Sequence, residues 1–189
     1  MNIQIVPVGA LETNCYVLSL EGRNDAVMID PGDDADKIKA ALGDKQVAAI
    51  LLTHGHYDHT GALYAFPDAP IYLHPNDHAM LTNPLLSVAK WAGDNKPRRK
   101  ATHTVVEGQV LKLAGLVIQV LHTPGHTQGC VCYAVGNDIF TGDTLFDGDY
   151  GRTDLPGGDA GQMRQSIRRL LQFAGRHAYP GHGTNMIIQ

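Results

Sequence analysis

The stretch Thr53-His54-Gly55-His56-Tyr57-Asp58-His59-Thr60-Gly61 crowds three imidazoles and a carboxylate into six positions. It directly follows the apolar run Val47-Ala48-Ala49-Ile50-Leu51-Leu52, which reads as a strand buried on both faces. If the backbone stays extended through Gly55, His54 and His56 lie two apart and project to the same side, where both can face one cation. Asp58 and His59 are adjacent and diverge from that pair, so they are expected to serve a second ion or to point away. The helical zinc pattern, two histidines four apart around a glutamate, is absent because the stretch contains no Glu.

Each half of such a site needs more donors, and three later turns offer them. Thr123-Pro124-Gly125-His126-Thr127 follows Leu116-Val117-Ile118-Gln119-Val120-Leu121, Thr141-Gly142-Asp143-Thr144 follows Asp138-Ile139-Phe140, and Pro180-Gly181-His182-Gly183 follows Ala178-Tyr179. Each sets one His or Asp in a Gly-containing turn behind an apolar run, where glycine admits a sharp turn and a close backbone approach. With His126, Asp143 and His182 added, the donors suffice for two cations, and the carboxylate of Asp143 suits a bridge between them.

The order HxHxDH, PGHT, TGD, PGHG resembles the metallo-β-lactamase fold superfamily, from about Asn14 to His182. Within it, Thr13-Asn14-Cys15-Tyr16-Val17 and Gly151-Arg152-Thr153-Asp154-Leu155-Pro156-Gly157-Gly158 resemble the single-domain branch of the glyoxalase II (hydroxyacylglutathione hydrolase) family. The resemblance implies an α/β fold, an αββα sandwich of two mixed β-sheets flanked by helices. It assigns His126 to the ion of His54 and His56, and His182 to the ion of Asp58 and His59. The cofactor expected is a pair of divalent cations, zinc foremost, with iron or manganese as alternatives. Two such ions lower the pKa of a shared water from about 15.7 toward roughly 7 and so supply a hydroxide at neutral pH. The implied substrate is a hydroxyacyl thioester of glutathione, such as S-lactoylglutathione, attacked by that hydroxide. Asp58 is expected to be chiefly a ligand, with a further role in orienting the water or taking its proton. Arg152 is the candidate contact for a substrate anion and Tyr150 a weaker one for the same pocket. Arg152 reads equally as a surface residue paired with Asp149 or Asp154.

The two-domain members of that family carry a helical C-terminal domain with glutathione-binding residues, and here seven residues follow His182. One runner-up is a persulfide dioxygenase of the same fold, with a single iron on two histidines and an aspartate. Another is a lactonase or β-lactamase.

At 189 residues and 43% hydrophobic content the chain suits one domain with a substantial core. A net charge of -4 gives no electrostatic footprint for nucleic acid. The cluster Lys96-Pro97-Arg98-Arg99-Lys100 is the exception, and it reads as a solvated charged loop ahead of a patch for phosphate or thiol anions. The N-terminus has no basic region followed by an apolar core, and no stretch approaches membrane-spanning length. Cys15, Cys130 and Cys132 lack a CxxC spacing, so free buried thiols in the cytoplasm are expected.

Along the chain, strands are expected at Ile3–Val8, Cys15–Leu20, Asp25–Ile29, Ile71–Leu73, Val105–Leu113, Gly115–Leu121, Cys130–Val135, Asp138–Thr141 and His177–Tyr179. Helices are expected after Asp33, at Gly61–Phe66, at Pro75–Leu81 and at Asp159–Phe173. Asp30 is placed to orient a ligand histidine or to cap its turn. His74 and His78 read as surface residues. The segment Thr82–Ala101 lacks periodicity and suits a cover for the site, with Trp91 either a substrate wall or a packing anchor.

Overall fold

In the computed structural model, which describes residues 1–189, twelve strands pair into two sheets of six. The first holds β1 (Asn2–Val8), β2 (Thr13–Ser19), β3 (Asp25–Ile29), β4 (Gln46–Leu51), β5 (Ile71–Leu73) and β6 (His103–Thr104), neighbours in chain order. β1 to β3 are antiparallel and β3 to β6 parallel. The second holds β7 (Val110–Leu113), β8 (Leu116–His122), β9 (Val131–Val135), β10 (Asp138–Gly142), β11 (His177–Pro180) and β12 (Met186–Ile187). Only β10 and β11 are parallel there. Helices α1 (Ala35–Leu42) and α4 (Ala160–Leu170) are joined by the single turns α2 (Tyr57–Thr60) and α3 (Ala89–Ala92).

The strands are nearly continuous apolar runs because successive side chains enter different cores. Cys15, Val17, Ala26, Met28 and Ile50 point to the outer face of the first sheet, where α1 covers them with Ile38 and Leu42. Their alternates Tyr16, Leu18, Val27, Ile29, Ala49 and Leu51 meet Ile118, Val120, Val131, Tyr133 and Phe140 of the second sheet, filling the space between sheets. Cys132, Ala134 and Ile139 face outward again and pack under Leu170 of α4. The result is the αββα sandwich expected. Asp159 caps α4 by accepting from the backbone N–H of Gly161 and Gln162. No helix is long and apolar enough to cross a membrane.

The topology places the chemistry. β8, β10 and β11 run in one direction, and the loops after their C-terminal ends carry His126, Asp143 and His182. The loop after β4 carries His54 to His59, beside Asp30 at the end of the parallel neighbour β3. Strand ends of this kind leave a crevice at the edge of the sheet.

Local departures from expectation have identifiable causes. The helix expected at Gly61–Phe66 begins earlier, at Tyr57, and is followed by a 3-10 turn at Leu63–Ala65. Pro75–Leu81 is 3-10 rather than α-helical. Val105–Leu113 is not one strand: β6 ends on the first sheet and β7 starts on the second, so the chain crosses between sheets there. β12 was not expected, yet it pairs with β11 and seats Ile188 at 2% exposure. His74 is buried and stacks on His122, ring centroids 4.2 Å apart, so it is no surface residue. Trp91 is 61% exposed and anchors no packing.

Within the basic cluster the two arginines are not solvated, while Lys100 is exposed. The Arg98 side chain is 6% exposed, pairs with Asp94 at 2.9 Å, and donates to Thr60 Oγ1 and the Tyr57 carbonyl. Arg99 donates to the carbonyls of Phe66 and Ala69. Arg98 therefore fastens this segment to α2 and Arg99 fastens it to the turn at Phe66–Ala69, instead of waiting for an anion. All three cysteines are free and buried.

Candidate metal centre

Thr53 to His56 stay out of regular structure, and the chain is extended at His56 before it turns into α2. His54 Nε2 and His126 Nε2 lie 3.1 and 2.8 Å from His56 Nδ1. A tetrahedral centre with Zn–N bonds of about 2.0–2.1 Å has ligand-to-ligand edges of roughly 3.3 Å, so this triangle needs little adjustment to hold an ion. The helical turn swings Asp58 and His59 toward His182, and Asp58 Oδ2 lies 3.4 Å from His59 Nε2 and 3.3 Å from His182 Nε2. Asp143 stands between the groups. Its Oδ1 is 3.3 Å from His59 Nε2, and its Oδ2 is 3.4 Å from His126 Nε2 and 3.6 Å from His182 Nε2. The donor atoms fall into three sets that can each hold a cation: His54, His56, His126; His54, His59, Asp143; and Asp58, His59, His182.

Outer hydrogen bonds decide which ring nitrogen carries the proton. His59 Nδ1 faces Asp30 Oδ2 at 3.0 Å, His126 Nδ1 faces the Arg152 carbonyl at 2.7 Å, and His182 Nδ1 faces the Leu11 carbonyl at 3.0 Å. These oxygens only accept, so each Nδ1 donates and Nε2 is the atom each ring turns toward the cluster. His54 follows by one more step. Thr53 Oγ1 spends its proton on Asp30 Oδ2 at 2.6 Å, so His54 Nδ1 donates to it at 3.1 Å. Four Nε2 atoms thus converge on one another and on carboxylate oxygens. His59 Nε2 and Asp143 Oδ1 are buried without a hydrogen-bond partner. A divalent cation among these nitrogens and carboxylate oxygens satisfies them together, so the residues present fit metal.

Ionisation divides the rings into two kinds. Burial opposes charge on His59 and His182, yet Asp58 and Asp143 outweigh it and raise the pKa of both, so without metal they hold a proton that a bound cation replaces. Burial, then the neighbouring imidazoles, push His54 well down, and burial with His126 brings His56 to about 3, so both offer neutral nitrogen at neutral pH. Burial opposes the charge on Asp58, yet His59 and His182 outweigh it and hold the carboxyl at about 2. Asp143 is likewise held well below the usual range, by His59 foremost against burial.

Several positioning groups escape sequence reasoning. Asp77, fully buried, accepts from Gly55 N–H at 3.1 Å, Thr127 Oγ1 at 2.7 Å and Gly129 N–H at 2.8 Å, tying the His54–His56 loop to the His126 loop. Thr13 donates to Asp58 Oδ2, and Asn14 holds the His182 loop through the carbonyls of Pro180 and Gly183. Asp30 both orients His59 and caps Thr53 N–H. Only the Asp30 role left a trace in the sequence, as an acidic residue before Pro-Gly at a strand end.

The mouth of the centre is a cavity of about 260 Å³ over His56, Asp58, His126, Asp143 and His182, rimmed by Val88, Phe146 and Leu155. Arg152 reaches this rim, and its guanidinium forms a two-pronged pair with Asp154, both bonds 2.7 Å. Tyr150 does not share that pocket. The Phe146–Asp149 turn, closed by the Phe146 N–H to the Asp149 carbonyl, turns its ring into a separate apolar groove with Leu171 and Ile187.

A family model described as the metallo-beta-lactamase superfamily matches residues 8–182. The chain belongs to this superfamily. Its members bind divalent metals and are mostly metal-dependent hydrolases. Among superfamily structures, the BLEG-1 B3 metallo-beta-lactamase is 34% identical with a TM-score of 0.93, over 99% of this chain and 94% of that one. TTHA1623, solved in a di-iron-bound form, is 36% identical with a TM-score of 0.87, over 98% and 94%. The hydroxyacylglutathione hydrolase GloC of Haemophilus influenzae is 36% identical over 90% of this chain and 84% of its own.

One glycine makes the superfamily site testable without touching a donor. A Cβ on Gly181 would stand 2.2 Å from Asp143 Oδ1 and 2.8 Å from His59 Cε1. Gly181→Ala is expected to displace the carboxylate. Elemental analysis of the purified variant should show less divalent metal than wild type, with an unchanged far-ultraviolet circular dichroism spectrum.

Proposed function

We propose that this chain is a dinuclear metal-dependent hydrolase of small thioesters, hydroxyacyl-glutathione thioesters of the S-lactoyl type foremost. The observation that carries the metal chemistry is the convergence of histidine Nε2 atoms, each ring fixed through its Nδ1, on the carboxylate of Asp143. The thioester reading is supported by the GRTD stretch at Gly151–Asp154 and by likeness to GloC. His54, His56 and His126 would hold one ion, Asp58, His59 and His182 the other, and Asp143 both. Zinc, iron and manganese all suit this donor set. When bound, such ions supply Lewis acidity, bringing a water toward a pKa of roughly 7 and polarising the carbonyl.

The chain's own residues do the rest. Asp30, Thr53, the Arg152 carbonyl and the Leu11 carbonyl fix the orientation of four imidazoles, which keeps the site from rearranging during the reaction. Asp58, held near 2, is too weak a base to carry a proton far at neutral pH, so its part is to ligate and to orient the attacking water. The apolar rim sheds water from the reacting bond. Arg152 meets a substrate carboxylate by leaving Asp154. The exchange is easy, because both groups of the pair are exposed and water screens their attraction. Three buried free thiols suit action in the cytoplasm.

Thiol release from S-lactoylglutathione tests the reading. Release should be fast with metal-loaded protein, vanish with a chelator, and return on adding zinc or iron. Oxygen uptake with glutathione persulfide, without thioester cleavage, would replace this reading by the one-iron dioxygenase. Opening of a β-lactam alone would replace it by the lactamase.

A further inference from the structure

Five non-glycine residues take positive φ: Glu12, Asp30, Asp34, Val88 and Ala114. Val88, at φ 66 and ψ -4, is the β-branched one, and a left-handed backbone crowds a branched Cβ against its own carbonyl. Glycine takes that conformation without strain. The neighbours hold the turn in place. Ser87 accepts from Tyr57 N–H at 3.0 Å and donates to the Asn83 carbonyl at 3.1 Å, while the Val88 carbonyl starts α3 by accepting from Trp91 and Ala92. The turn is thereby locked to the first residue of α2, next to Asp58. Val88 lines the cavity over the donor cluster together with Phe146 and Leu155.

We propose that Val88 sets the size of the acyl group the site accepts. Strained positions persist where the surrounding structure over-determines them, and they gather at ligand clamps. Val88 stands on the Asp58 side of the cluster, through Ser87 and Tyr57, whereas Arg152 stands on the His126 side, through its carbonyl. A thiol whose carboxylate meets Arg152 leaves the Val88 side of the cavity to the acyl group. Selection inside the cavity therefore acts on the acyl side, where the short branched wall of Val88 meets a longer chain. The inference rests on the thioester-hydrolase reading and deepens it.

The test compares wild type, Val88→Gly and Val88→Ala, each loaded with zinc, on lactoyl-, butyryl- and hexanoyl-glutathione, with melting temperatures measured alongside. Removing the isopropyl group should raise kcat/KM for hexanoyl relative to lactoyl by at least about tenfold, mainly through KM, at equal metal content. Val88→Ala should shift the same ratio less. Val88→Gly should melt no lower than wild type despite losing side-chain contacts, because strain is relieved. An unchanged acyl preference in both variants overturns the inference, and so does a lower melting temperature for Val88→Gly. Should Val88→Gly fail to fold, Val88→Ala alone decides the preference. Wild type that cleaves no thioester removes the proposed function and this inference together, whereas active wild type with unaltered variants removes this inference alone.

Discussion

Asp143→Asn should lower thioester turnover more than about a hundredfold and cost the protein tight binding of its second metal equivalent. The geometry gives the reason. Oδ1 faces His59 and Oδ2 faces His126 and His182, so the two oxygens serve different halves of the cluster. An amide keeps the shape but turns one acceptor into a donor and removes the charge that two cations share. Changing a group that merely orients a metal ligand costs about 10–100-fold. Loss of the bridge itself should exceed that. Steady-state kinetics beside elemental analysis check the prediction, and a circular dichroism spectrum matching wild type shows that the loss is local. Two retained metals with near-normal turnover would mean that Asp143 bridges nothing.

The largest effect on stability should come from Asp77→Ala. The carboxylate is fully buried, and burial raises its pKa against the pull of its hydrogen bonds to Thr127, Gly55 and Gly129. Alanine leaves the N–H groups of Gly55 and Gly129 without partners and the Thr127 hydroxyl with only the Cys130 sulfur. Each loss costs about 1–3 kcal/mol, and partial relaxation brings the sum to about 3–5 kcal/mol. For a chain of this size that lowers the melting temperature by roughly 10–15 °C. Asp77→Asn keeps an acceptor for the Gly129 N–H and should fall between the two. Thermal unfolding of the chelated proteins measures this without any contribution from metal. A shift under about 3 °C for Asp77→Ala would show that water or a rearranged loop replaces the carboxylate. The two loops joined by Asp77 carry His54, His56 and His126, so metal affinity should weaken with stability.

Legibility in the sequence followed the range of the interactions involved. The longer strands were readable because they are short apolar runs between turn-forming residues, whereas the two-residue β6 and β12 carry no such signal. β3 and β5 fall where expected, at Asp25–Ile29 and Ile71–Leu73. The candidate donors were readable because each directly follows such a run. The order of four short motifs, through its family resemblance, supplied the αββα arrangement that periodicity alone does not distinguish from other α/β folds. What escaped depends on contacts between distant segments. Asp77 looks like any acidic residue in a polar turn, and its three partners lie 22, 50 and 52 positions away. Arg98 and Arg99 read as solvated because charge density is a local signal, whereas their acceptors belong to the α2 end and the turn at Phe66. Tyr150 was placed with Arg152 by proximity in sequence, and the closed turn before it sends its ring to another face. Strain at Val88 has no sequence signature, since valine is an improbable choice for a left-handed turn.

The claim on which the rest depends is that seven side chains from four loops enclose two divalent ions. Zinc titration of chelated protein, followed by elemental analysis, tests it most directly when wild type is set beside His126→Ala and His182→Ala. Wild type should hold two equivalents per chain and each variant one, the two remaining ions sitting in different halves. Wild type that binds no zinc tightly, or variants that both keep two equivalents, would contradict the account.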